Sequence, residues 1–324
     1  MTKLPRLYLV MLRYRIAAMV APFLLLGAAR EGRLELGPRY LLAALALGSS
    51  YVAATALNDL ADEEIDRVNH PRDAGRPLVE GTATRRELLL LHVIASMLAL
   101  CAAIPLGSRG IGLVLVSLLV SQAYSGRPVR LSYRVVGAPL ALGIAYVVVP
   151  YSLGITAAQG SLRHAASVLT CSLFLFFAAR IVLKDFRDRV GDARYGKPTL
   201  LLRFGKTATC VASLGALVTG DVLLVAALEP ILWLFVQAFV IAIAAMLWTL
   251  WRADQEVAEQ VAIGIGARMG NGLLLCVLGW LLLEGSGASV AQASLLTAFL
   301  STPFFLSFVT LAARPGEAVI GYKG

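Results

Sequence analysis

Residues Tyr51-Val52-Ala53-Ala54-Thr55-Ala56-Leu57-Asn58-Asp59-Leu60-Ala61-Asp62-Glu63-Glu64-Ile65-Asp66 carry an apolar run straight into a row of acids. A second stretch, Lys184-Asp185-Phe186-Arg187-Asp188-Arg189-Val190-Gly191-Asp192, does the same at the end of another apolar run. Eight of the twenty acidic residues fall in 58–66 and 184–192. Carboxylates clustered beside lipid need a counter-charge. A divalent cation with oxygen ligands neutralises several of them at once. Each cluster is trailed by Gly-(Arg/Lys)-Pro, at Gly75-Arg76-Pro77 and Gly196-Lys197-Pro198. That combination points to Mg²⁺-diphosphate chemistry inside a membrane.

The rest of the chain supplies the membrane. Of 324 residues, 58% are hydrophobic and 15% charged, with a mean hydropathy of +0.77. Soluble domains carry about 25% charged residues, so this composition predicts one all-α, polytopic membrane domain over 1–324 with no separate soluble module. Segments long enough to span fall near 8–29, 38–57, 87–106, 110–124, 135–158, 165–183, 208–228, 230–251, 261–284 and 289–312. They predict nine or ten spans. The first is read as an uncleaved helix, because Arg13 and Arg15 interrupt what a signal peptide would keep apolar.

Charge places the loops. The connections after the second, fourth and sixth segments hold five, three and seven Lys or Arg, whereas the alternate connections hold few. Positive-inside bias then puts the N-terminus and both acidic clusters on the cytoplasmic side. The same bias accounts for the net charge of +9. The basic residues form no stripe and no readable nucleic-acid motif, so no nucleic-acid partner is expected. Cys101, Cys171, Cys210 and Cys276 stand singly in apolar runs, and His70, His92 and His164 are scattered, which suggests neither disulfides nor a zinc or haem site. The echo between Gly75-Arg76-Pro77 and Gly196-Lys197-Pro198, four spans apart, suggests two pseudo-repeated halves, about 1–134 and 135–324, with a site between them. Gly264-x-Gly266-x-x-x-Gly270 suggests close helix contact, within or between chains.

If the helix through Leu57 continues past Ile65, then Asn58, Asp62 and Asp66 fall at i, i+4 and i+8 on one face. Asp185, Asp188 and Asp192 fall at i, i+3 and i+7, again one face. Two such rows can hold Mg²⁺ between them, with phosphate oxygens completing the coordination. Arg67, Arg72, Arg76, Lys184, Arg187, Arg189, Arg194 and Lys197 are interleaved with the acids. Many serve positive-inside anchoring; Arg76, Lys184 and Lys197 are the selections for phosphate. A metal-bound diphosphate leaves well from an allylic carbon, because metal ions stabilise the charge on the departing oxygen. The resulting cation needs shelter from water and aromatic faces around it. Candidate walls are Tyr51, Tyr124, Tyr146, Tyr151, Phe174 and Phe177, each of which ordinary packing would also explain. A third connection, Tyr124-Ser125-Gly126-Arg127-Pro128-Val129-Arg130-Leu131, lies between the acidic loops in sequence and on their side. Its Tyr124 and Arg130 are placed to close over a site or hold an acceptor.

These three blocks together resemble the UbiA superfamily of intramembrane prenyltransferases. The likeness rests on Asn58-Asp59-x-x-Asp62-x-x-x-Asp66 with Arg76-Pro77, on Asp185-x-x-Asp188-x-x-Gly191-Asp192 with Gly196-Lys197-x-Thr199-Leu200, and on Tyr124-Ser125-x-x-Pro128-x-Arg130-Leu131. The resemblance implies a helical bundle around a central cavity capped on the cytoplasmic side. It implies that Asn58, Asp62, Asp66, Asp188 and Asp192 hold Mg²⁺ and diphosphate and that Asp185 assists; Asp59, in the first cluster, is counted with them as a candidate metal ligand. Asp62, Asp66, Asp188 and Asp192 are the catalytic set, and Arg76, Lys184, Lys197, Tyr124 and Arg130 the substrate-binding set. The implied reaction moves a polyprenyl group from an allylic prenyl diphosphate to an aromatic or other lipophilic acceptor. No residue is an obvious general base. Lys184 stands where some members of the family place another acid. Two competing readings remain: a membrane terpene cyclase, which would consume prenyl diphosphate with no acceptor, and an ion-coupled transporter, whose carboxylates would lie nearer the bilayer midplane. Prenyl chain length, acceptor identity and oligomeric state are not readable.

Overall fold

The computed structural model describes residues 3–31, 37–71, 73, 75–161 and 164–313, without the side chains of 15, 164, 165 and 311–313. Arg72, expected beside the first acidic row, and the side chain of His164 therefore lie outside the described residues. Among the described residues every regular element is helical, and each of the ten apolar segments coincides with helix. By length and composition, eight helices can cross a membrane, or nine if the bent pair at the N-terminus is one span.

The chain divides into two compact units. The first gathers the described residues of Met1–Ala28, Glu35–Ser161 and Asp188–Thr199. Its helices are α1 (Lys3–Met11), most of α2 (Tyr14–Arg30), α3 (Pro38–Asn69), α4 (Arg85–Ala103), α5 (Gly107–Ser125), α6 (Gly137–Gly143) and α7 (Val149–Ala157). To these is added the later part of α9 (Asp185–Arg194).

The spine of this unit is α3. Its 32 residues rise about 48 Å, while the apolar run fills only its first two thirds. The remainder projects beyond the apolar stretch and carries the first acidic row. Two limbs flank this spine. Helix α4 starts on a capping box, in which the Thr84 side chain accepts from Glu87 N while Glu87 reaches back to Thr84 N. It packs Leu88, Leu91 and Ala95 against Ala53 and Ala56 of α3. Between α4 and α5 the backbone turns at Gly107, where φ is 82°, a conformation glycine adopts without a Cβ penalty. Helix α5 then returns along α3, with Val114 packed near Ala46 and Ser117 donating to Ser50 at 3.4 Å. Each limb of 19 residues is about 28 Å long, enough for one crossing.

Helices α2 and α7 cross with almost no separation. A Cβ on Gly27 would lie 2.0 Å from the Tyr151 carbonyl oxygen, and one on Gly154 would lie 1.9 Å from that of Leu24. At the start of α3, Arg39 fastens two chain reversals. Its guanidinium donates to Ala157 O, Thr156 O and Pro105 O at 3.3, 3.3 and 3.1 Å. Thr156 and Ala157 close α7 and Pro105 lies in the turn after α4; Thr156 O also accepts from Gln159 N at 3.1 Å.

The second unit gathers the described residues of Ala29–Leu34, Leu162–Arg187 and Leu200–Gly324. It contains α8 (His164–Ile181), α10 (Leu200–Ala227), α11 (Pro230–Arg252), α12 (Glu256–Gly285) and α13 (Val290–Ala313). Ser172 donates to Gly220 O at 2.7 Å and Ser213 to Ala179 O at 2.6 Å, riveting α8 to α10. Phe239 of α11 stacks on Phe305 of α13 with ring centroids 4.9 Å apart. The glycine motif of α12 serves contacts inside the chain: the Cβ position of Gly266 is 2.2 Å from the Met246 Cε of α11.

Candidate active site

The first acidic row rides on α3 (Pro38–Asn69), which kinks at Asp62, where φ is −112° and ψ 17°. Asp59, Asp62 and Asp66 are all buried, at 2%, 4% and 7% exposure. Buried carboxylates require partners, and here each has cations. One terminal nitrogen of Arg13 lies 2.6 and 2.8 Å from the two oxygens of Asp59, and Arg76 approaches Asp59 at 3.5 Å. Arg76 also pairs with Asp66. Asp62 receives Asn58 Nδ2 at 3.3 Å, Arg130 at 3.2 Å and Lys197 Nζ at 3.5 Å. Arg130 further donates to Ala61 O at 3.2 Å and covers the Tyr133 ring at 3.8 Å, so the third loop is tied onto the first row. Farther out, Glu63 is paired with Arg67 and Arg85 on the exposed side of the helix.

The second row meets the first inside the same unit. Lys197 Nζ stands between the rows, 3.5 Å from Asp62 Oδ2 and 3.7 Å from Asp192 Oδ1. Gly191 N donates to Asn69 Oδ1 at 2.7 Å. His70 Nε2 lies 3.2 Å from Asp188 Oδ1. The end of α3 is thus docked on α9, and the approach depends on glycine: a Cβ at 191 would sit 2.6 Å from Asn69 Oδ1.

Of the residues selected from sequence, Asn58, Asp59, Asp62, Asp66, Asp188, Asp192, Arg76, Arg130 and Lys197 all lie in the first unit around this junction. Asp185, buried, and Lys184, half-buried, belong to the second unit. Tyr124 is half-buried at the end of α5. Among the aromatic candidates, Tyr51 and Tyr146 pair with ring centroids 5.8 Å apart.

Sequence reasoning missed four participants. Arg13 appeared only as a charge interrupting the first apolar segment. It occupies the break between α1 and α2 with φ 44°, and it donates through Nε to Gly75 O at 3.2 Å as well as to Asp59. Asn69 and His70 directly follow the first row, a position that was the available signal, yet their partners lie over a hundred residues away. Gly191 was quoted as part of a motif without a role.

Buried and half-buried carboxylates with an amide, all oxygen donors, suit a hard cation such as Mg²⁺. No three metal-ligating side chains gather into a ready cage among the described residues. Mg²⁺ is commonly held in this way, by one or two carboxylates plus water and substrate phosphate rather than by an all-protein cage. The donor set fits that ion, and the cations between the carboxylates fit the phosphate oxygens that would accompany it.

Digeranylgeranylglyceryl phosphate synthase from Methanopyrus kandleri is 30% identical over 280 residues, covering 80% of this chain and 97% of that protein. The synthase of that name from Korarchaeum cryptofilum is 29% identical over 171 residues, 53% of this chain and 58% of the relative. The chain thus spans less than two thirds of the length of that relative and of several others. The bacteriochlorophyll synthase 33 kDa chain of Rhodobacter capsulatus is 26% identical over 212 residues, 62% of this chain and 67% of that one. In fold, a UbiA homologue from Archaeoglobus fulgidus solved with GPP and Mg²⁺ superposes with a TM-score of 0.65 at 19% identity, over 85% of this chain and 99% of that one. Residues 18–272 match the UbiA prenyltransferase family as a whole. With paired acidic rows on a helical membrane scaffold and this match over most of its length, the chain belongs to the UbiA prenyltransferase family.

Proposed function

We propose that this protein transfers a polyprenyl group from an allylic prenyl diphosphate to a lipophilic acceptor, with release of diphosphate and dependence on Mg²⁺. The observation that carries the reading is the junction of the two acidic rows, with Lys197 between Asp62 and Asp192 and the Asn69–Gly191 bond beside them. Carboxylates from distant parts of the sequence are thereby brought around one point together with Arg76 and Arg130. A transporter reading has no comparable observation in its favour.

In this reading Asn58, Asp62, Asp66, Asp188 and Asp192 hold Mg²⁺, with Asp185 assisting. Bound there, the ion supplies Lewis-acid stabilisation of charge on the departing diphosphate. Arg76, Arg130 and Lys197, now paired with carboxylates, turn toward phosphate oxygens, with Lys184 and Tyr124 completing the substrate contacts. Asp59 has a different task. Both its oxygens are taken by Arg13, so it holds that guanidinium in place rather than joining the ligand set. The aromatic pair Tyr51–Tyr146 faces the prenyl cation, which aromatic rings stabilise and dry surroundings protect. We place the N-terminus and these loops on the cytoplasmic side, from the distribution of Lys and Arg.

The test is diphosphate release by Asp62→Ala and Asp188→Ala proteins in membranes. Both should be inserted at normal levels and lack activity, since each carboxylate is met by polar partners at the junction rather than by the hydrophobic core. Full activity in either variant would overturn the assignment. Release of diphosphate without any acceptor, together with a hydrocarbon product, would instead indicate a cyclase.

A further inference from the structure

From the break between α1 and α2, Arg13 reaches two points far along the first unit. Its Nη2 lies 2.6 and 2.8 Å from the two oxygens of Asp59, and its Nε donates to Gly75 O at 3.2 Å. Gly75 immediately precedes Arg76, whose guanidinium pairs with Asp66 and stands 3.5 Å from Asp59. Asp59 therefore lies between two guanidiniums, one in close contact and one at the margin of contact. Among the described residues these are its cations. Asp73 also faces Arg76, 3.7 Å from Nε, but its side chain is 38% exposed. Its carboxylate accepts from Gly75 N at 2.8 Å, and its carbonyl from Arg76 N at 2.8 Å, both within the same turn. Arg13 thus joins that turn to α3.

A carboxylate only 2% exposed cannot be left without a counter-charge. Removing Arg13 would free both oxygens of Asp59 and release the Gly75 carbonyl together. Arg76 is the cation then within reach. Closing from 3.5 Å to a charged hydrogen bond of about 2.8 Å takes a shift of less than about 1 Å. Arg76 would be captured by an acid outside the ligand set, and drawn away from Asp66 and from the diphosphate. With Arg13 present, Asp59 is already satisfied and competes weakly for Arg76.

We propose that Arg13 is a positioning residue for Arg76. By occupying Asp59 and tethering the turn at Gly75, it keeps the Arg76 guanidinium beside Asp66, where it can pass to the oxygens of the prenyl diphosphate. Arg13 acts through Asp59 and does not touch the substrate. This inference rests on the prenyl-transfer reading and deepens it.

The experiment measures thermal unfolding of the purified protein in detergent against geranyl diphosphate with Mg²⁺, for wild type, Arg13→Met, Arg13→Lys and the double variant Arg13→Met with Asp59→Asn. In Arg13→Met the half-saturating concentration of geranyl diphosphate should rise about ten-fold, the loss of one charged contact to phosphate. Arg13→Lys, which can occupy Asp59 but not also hold Gly75, should fall between. The double variant should return to within about three-fold of wild type, because the acid that captures Arg76 is gone. It leaves no unpaired buried charge, so it should fold whether or not Arg13→Met does. A double variant that stays about ten-fold weak would overturn the proposal, since an arginine acting on the substrate itself is not rescued by removing Asp59. Wild-type affinity in Arg13→Met would overturn it too. A wild-type protein that ignores geranyl diphosphate would overturn prenyl transfer and this role with it. A responsive wild type with an unrescued double variant overturns this role alone.

Discussion

Gly191→Ala should separate the stability of this protein from its chemistry. The new methyl would begin 2.6 Å from Asn69 Oδ1, where ordinary contact starts near 3.4 Å. Asn69 or α9 must therefore give by about 0.8 Å, and the 2.7 Å bond from Gly191 N to Asn69 is lost or stretched. The obstacle is the end of a side chain, which rotates away cheaply. Losing one such hydrogen bond costs about 0.5–1.5 kcal/mol, while alanine in place of glycine within a helix returns about 1 kcal/mol. These offset, and for a chain of this size the unfolding temperature should move by less than about 3 °C. Activity is another matter, because this bond sets the distance between the two acidic rows. A misplacement near 1 Å can cost about a hundred-fold in rate, so Mg²⁺-dependent diphosphate release should fall about ten- to a hundred-fold. The assay is release from geranylgeranyl diphosphate in proteoliposomes beside a thermal melt of the same preparation. Asn69→Ala, which removes the bond without the clash, should show a smaller loss. Wild-type turnover in Gly191→Ala would refute the view that α3 and α9 must be held at this spacing. A large drop in unfolding temperature would show that the contact is architectural instead.

Lys197→Met should raise KM for the prenyl diphosphate about ten-fold or more, since it removes the ammonium between Asp62 and Asp192; steady-state kinetics on the donor would check this. Arg39→Ala should lower the unfolding temperature by several degrees, from three lost bonds to backbone carbonyls worth about 2 kcal/mol together. Its turnover, measured well below the melt, should stay near wild type. Gly154→Val should fail to accumulate in membranes, because its Cβ would meet the Leu24 backbone at 1.9 Å and neither α2 nor α7 can yield; quantitative immunoblotting of the membrane fraction gives the answer.

Much of the junction was legible because its chemistry is spelled in local spacing. Asn58, Asp62 and Asp66 share a helix face by arithmetic, and Arg76 and Lys197 follow their acids at once. Periodicity could not show that Asp59, one residue off that face, would be claimed by Arg13, since an ion pair across 46 positions leaves no local trace. Nor did it show that Asp62 sits at a bend, or that Asn69 and His70 reach α9. Residues 188–199 belong to the first unit, where the Gly191 backbone N–H and the Lys197 side chain bond to α3. Glycine spacing was informative where it marked α12. It was silent at Gly27 and Gly154, which lie on different helices and meet only in three dimensions.

The ammonium of Lys197 gives the acidic junction a resident counter-ion that belongs to the polypeptide itself. Newly made protein can accordingly settle into the bilayer already self-neutralised, with no need to capture an ion during biogenesis. Chelators should silence such an enzyme while leaving its architecture intact, and turnover would return as soon as the ion does.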